Sequence, residues 1–201
     1  MPDFKFDIFI SYTHIDNKPL SDHQKGWIAK LHEDLETRLA MILGEEPRMW
    51  RDPRLQGNEV FDESIVRQLN KVALLVSVLS PRYVKSEWCT RELREFLRAA
   101  EQTGGVRIGD KVRLFKVVMI PVPPEDHPPE LQPLLGYKFF ETDPETGHPI
   151  EFGLLPDAER RYWSRLNDLC LQHARPAGAT QGARRWRPRP RYAGQRYGLP
   201  G

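Results

Sequence analysis

"VALLVSVLSPRYVKSEWCTREL", residues 72–93, joins the clearest buried strand of the chain to the start of an amphipathic helix. Val72 to Ser80 is a short, almost wholly apolar run of the kind that lies inside a parallel sheet, covered on both faces. From Ser86 onward the period changes. At 100° per residue, Cys89, Leu93, Phe96, Leu97 and Ala100 share one stripe, while Arg91, Arg94, Glu95 and Arg98 occupy the far side. Trp88 and Glu92 are four residues apart, so they stack together at the border of the two faces. The helix dipole accounts for an acid at Glu87, but Glu92 lies a turn deeper, where that gain has faded. The plain expectation for Glu92 is a flanking ion pair with Arg91 or Arg94.

The same alternation extends in both directions. "FDIFISY", Phe6 to Tyr12, reads as a first buried strand. After a polar segment, Ser21 with Gln24 suits a capping box, opening a helix through Ile28, Leu31, Leu35, Leu39 and Ile42 that stops at Gly44. Arg48 to Asp52 is a weak strand and "PRLQGN" a loop, whose Asn58 caps a helix with Glu59, Asp62 and Glu63 in its first turn. Gly104-Gly105 reads as a helix end and turn. Arg113 to Pro121 is a fourth strand, Val122 to Pro133 a proline-rich loop, and "YKFFE", Tyr137 to Glu141, a fifth strand. A last helix near Asp157 to His173 turns Tyr162, Leu166, Leu169 and Cys170 inward. Strand and helix alternating in this way predict an α/β fold, a five-stranded parallel sheet with helices on both faces. Ligands of such sheets bind beyond the carboxyl ends of the strands. Those ends carry Tyr12, Thr13, His14, Asp52 and Ser80. His14 and Asp16 are spaced to pair as base and orienter, but no nucleophile motif accompanies them.

Composition narrows the classes. In 201 residues, 39% apolar and 10% aromatic side chains suffice for one core. No run approaches the ~18 apolar residues of a membrane span, and the opening lacks a basic n-region and cleavage site, so a cytoplasmic protein is expected. Cys89 and Cys170 make neither a disulfide framework nor a metal spacing, and the six histidines share no ligand pattern, so no metal is expected. The stretch 174–201 holds seven arginines and no Asp, Glu or Lys. Its Arg, Trp and Tyr composition fits a disordered tail after a domain of residues 1–173, with nucleic-acid contact as a secondary use.

Three segments in order, "DIFISY", "MWRDPRLQGNEVFDESIVRQLNKV" and "VALLVSVLSPRYVKSEWCTREL", resemble the Toll/interleukin-1 receptor (TIR) domain family, in particular its bacterial, NAD-cleaving members. Asp52 matches the acid ending the second strand and Gly57 the glycine of the BB loop. The resemblance implies a flavodoxin-like sheet and an NAD glycohydrolase acting in bacterial defence or signalling. It implies no cofactor, with NAD as substrate and Glu92 as the catalytic residue. Trp88 then stands as the aromatic beside it, and Tyr12, Thr13, Asp52 and Ser80 as substrate contacts. It also implies other TIR domains as partners, through Pro53, Arg54, Leu55, Gln56, Gly57 and Asn58. A non-enzymatic TIR–TIR docking module is the alternative. The segment 104–133 is longer and richer in proline than the family pattern.

Overall fold

Parallel pairing gathers the apolar runs into one sheet. The computed structural model describes residues 4–51, 68–108, 111–153 and 158–174. In it, β1 (Phe6–Ser11) lies between β2 (Met49–Trp50) and β3 (Val72–Leu79). The short ribbon strands β4 (Arg107–Ile108) and β5 (Lys111–Val112) pair with each other. Beyond β3 the sheet continues with β6 (Leu114–Val118) and β7 (Tyr137–Lys138), in the order β2-β1-β3-β6-β7. Every pairing in it is parallel. A second antiparallel ribbon joins β8 (Phe140–Thr142) to β9 (Pro149–Glu151). The helices are α1 (Trp27–Leu43), α2 (Glu87–Gln102) and α3 (Glu159–Ala174).

Residues alternate between the two faces along each strand. Ile8, Ile10, Val76 and Phe115 meet Leu31, Leu35, Tyr162 and Leu166 of α1 and α3. Phe9, Leu75, Leu79 and Val118 meet Cys89, Leu93, Phe96 and Ala100 of α2. Each large side chain fully buried in this way contributes about 1.5–3 kcal/mol. The sheet's amino-terminal end is fastened by a buried arginine. Arg113 donates from Nε to the Ala73 carbonyl at 2.7 Å, from Nη2 to Val72 at 3.1 Å, and from Nη1 to Thr103 Oγ1 and the Gly105 carbonyl at 2.8 and 3.1 Å. These bonds tie the start of β3 to the end of α2, where Gly104 and Gly105 turn with φ of 105° and 90° as expected.

Three expectations need correction. The capping box does not open α1; Ser21 and Gln24 close a backbone turn at 3.1 Å, and the helix begins at Trp27. Its cap comes from farther back, where Asn17 Oδ1 accepts the Ala29 amide at 2.8 Å. That approach is possible because Gly26 has no Cβ; one built there would sit 1.8 Å from the Asn17 carbonyl oxygen. The fifth strand is shorter than the run "YKFFE". Phe139 ends it with a last bond to the Val118 carbonyl at 2.9 Å. Its buried ring turns against Trp27 and Tyr162, and its carbonyl accepts the Phe152 amide of the second ribbon. Neither two-stranded ribbon was expected. The helix capped by Asn58 lies outside the described residues.

Among the described residues no helix is long and apolar enough to cross a membrane. Gly26→Ala is expected to destabilise the fold by about 1–3 kcal/mol, since backbone rather than a flexible tip must move; a urea midpoint unchanged from the parent would contradict the Asn17 cap.

Candidate active site

In a sheet of this order the strand connections reverse direction between β1 and β3, and a crevice opens there at the carboxyl ends. Ser11 and Ser77 are register partners at that point. Both interrupt apolar runs on the face that α2 covers. The first turn of α2 is capped by Ser86, whose Oγ accepts the Cys89 amide at 3.2 Å. That start sets the helix phase so that Glu92, one turn on, meets Ser11.

Glu92 is not at the border of the apolar stripe. It is 0% exposed. Ser11 Oγ donates to its Oε2 at 2.6 Å, and Trp88 Nε1 donates to its Oε1 at 3.1 Å. Of the two arginines expected to pair with it, Arg94 reaches Glu130 instead, at 3.5 Å. Tyr83, fully buried, places its phenol 3.3 Å from Ser11 Oγ. The Ser77 hydroxyl is buried beside that phenol without closing a hydrogen bond to any described group. Burial pushes the Tyr83 phenol and the Cys89 thiol upward, and Glu92 raises Cys89 further, so neither is an anionic nucleophile near neutral pH.

A second cluster lies at the same rim. Asp16 Oδ2 accepts hydroxyl hydrogens from Thr13 and from Ser80, the latter at 2.7 Å. Ser80 Oγ in turn accepts the Tyr83 amide at 3.0 Å. Burial raises Asp16 above the ordinary carboxylate range, against the downward pull of the two hydroxyls. His14, the partner its spacing suggested, is exposed instead.

Thus Glu92, Trp88, Thr13 and Ser80 come to the carboxyl-end rim. Tyr12 does not join them; it packs with Trp27 and Ile28 in the core on the α1 and α3 side. Asp52 and Pro53 to Asn58 lie outside the described residues. Ser11, Ser77 and Tyr83 were missed, although a lone serine inside each of two apolar strands was a usable signal. A hollow of about 640 Å³ lies on the outer side of α2 between Lys85 and Arg98, and Glu92 does not line it. Among the described residues no cluster of His, Cys, Asp and Glu is arranged to hold a metal.

A model of the TIR domain family matches residues 8–148, most of the sheet and both rim clusters. The chain belongs to the TIR domain family. Among solved structures, a metazoan TIR-STING receptor from C. gigas shares this TIR fold with a TM-score of 0.52 at 18% identity, over 87% of this chain and 41% of that one. This chain therefore spans about two fifths of that receptor. The TIR domain of the Toll-related receptor TRR-2 from Hydra magnipapillata aligns with a TM-score of 0.45 at 14% identity, over 83% and 99% of the two chains. Among curated proteins no match is found.

A hydrogen bond to a charged group contributes about 1.5–3 kcal/mol, so Ser11→Ala in this TIR domain is expected to lower stability by that amount. Chemical denaturation of the variant beside Ser77→Ala measures it. A loss at Ser77, which closes no such bond, as large as that at Ser11 would contradict the assignment.

Proposed function

We propose that this TIR domain cleaves NAD at the nicotinamide–ribose bond, with Glu92 as the catalytic carboxylate. The observation that supports this reading is the doubly held, buried Glu92 carboxylate at the strand tips. Most glycosidases need a second carboxylic acid because their leaving groups are poor. Nicotinamide differs: it is attached as a cationic pyridinium. When the C1′–N bond breaks, the electron pair goes to the ring nitrogen and the base departs neutral, so no proton donor is required. What needs stabilising is the oxocarbenium-like ribose left behind. A carboxylate held by Ser11 meets that charge with its orientation already set from the sheet. Water then adds at C1′ and loses a proton, giving ADP-ribose, or a hydroxyl or nitrogen of the same molecule closes a cyclic product.

Full burial means that the carboxylate meets substrate after its cover shifts. Trp88 is half-buried and bonded to Glu92, so its indole is the part of that cover described at the surface. Displaced, the ring offers a stacking wall and excludes water from the sugar. Asp16, half-buried at the rim and held by Thr13 and Ser80, presents its carboxyl group toward the remaining substrate. Docking to other TIR domains through Pro53 to Asn58 is the second reading, and it is compatible with the first.

The test is nicotinamide release from NAD, followed by chromatography, using the wild type, Glu92→Gln, and both fused to an oligomerising domain. Loss of one preorganised electrostatic group costs about 100–1,000-fold. Glu92→Gln is expected to lose activity by that factor while keeping its fold. An oligomerised wild type that releases no nicotinamide would leave the docking reading in its place.

A further inference from the structure

The row of the sheet that holds Ser11 and Ser77 continues to Lys116, which pairs with Ser77 across β3 and β6. Two strand spacings separate Ser11 from Lys116, about 10 Å. Lys116 sits among apolar neighbours on the α2 face and is 5% exposed. Among the described residues it has no anionic partner. Its neighbours are instead cationic or ionisable to cations. Lys138 pairs with Val118, two residues beyond Lys116, and so lies diagonally beside it on the same face. His127, 7% exposed, donates from Nε2 to the Val122 carbonyl at 3.2 Å, leaving Nδ1 buried with no partner. Gly136 closes over the lysine stem: with φ of +73°, its missing Cβ would lie 2.7 Å from Lys116 Cε. The lysine stem is thus buried and its ammonium stands without a counter-charge among the described residues.

We propose that Lys116, Lys138 and His127 form a binding site for a phosphate group, either free inorganic phosphate or the phosphate of a nucleotide. Two ammonium groups and an imidazolium supply the charge and the N–H donors that a tetrahedral dianion requires. Binding would give Lys116 its missing counter-charge and Nδ1 of His127 an acceptor. Burial and then Lys116 lower the His127 pKa in the free protein; Asp126 and Glu125, on the exposed side of the same turn, oppose this more weakly. Burial and Lys138 likewise lower Lys116. A bound dianion reverses the charge felt by both.

The experiment compares melting of the full chain in potassium phosphate and in potassium chloride of equal ionic strength, beside Lys116→Met and Lys138→Gln. The wild type is expected to gain about 2–5 °C, saturably, in phosphate over chloride. Lys116→Met is expected to lose the phosphate response. Lys138→Gln is expected to weaken binding at least threefold. The ring resonances of His127 provide a readout in unaltered protein, with its pKa rising on addition of phosphate. ADP binding at least tenfold more tightly than phosphate assigns the site to a nucleotide, and equal binding to the free ion. Glu92→Gln should bind phosphate as the wild type does, which keeps this result separate from NAD cleavage. An equal phosphate response in wild type and Lys116→Met, or a His127 titration unmoved by phosphate, overturns the proposal.

Discussion

Glu92 is carried into the contact between α2 and the sheet, where an unmet carboxylate would cost several kcal/mol. The helix cannot supply donors on its inner side, because Cys89, Leu93, Phe96 and Ala100 fill it with apolar groups. They have to come from the sheet and from the helix border, which is where Ser11 and Trp88 stand. Once Ser11 is fixed, Tyr83 follows, since its phenol is buried next to the same hydroxyl. The short turn holding Tyr83 is in turn pinned by Ser80, and Ser80 by Asp16. A polar chain therefore runs from the helix through the sheet to the rim, and α2 can dock in one register.

That chain explains which parts were legible in the sequence. Strands β1, β3 and β6 announce themselves as short apolar runs and the three helices through period 3.6, because burial on two faces or one dictates those patterns. The reach of the Asn17 side chain to the start of α1 is tertiary; a capping box read locally at Ser21 had no means of competing with it. Phe139 illustrates the same point, since its place in the run "YKFFE" says strand while its ring is claimed by Trp27 and Tyr162.

For the site, the family resemblance marked Glu92 and Trp88, but the helical wheel put the carboxylate at a border. The wheel treats the covering surface as uniformly apolar. The sheet is not uniform here: Ser11, Ser77 and Lys116 make one polar row across three strands, and a carboxylate can sink wherever that row passes beneath the helix. Tyr12 lies on the other face of the sheet for the complementary reason. It stands next to Ser11 in the chain, and adjacent strand residues face opposite ways.

The carbonyl clasp of Arg113 has a mechanical consequence. It fastens the last turn of α2 to the start of β3, whereas the Glu92 carboxylate fastens the front of the helix to β1 through Ser11. One guanidinium thus serves strand and helix at once, so neither the start of β3 nor the end of α2 can fray without stranding a buried cation.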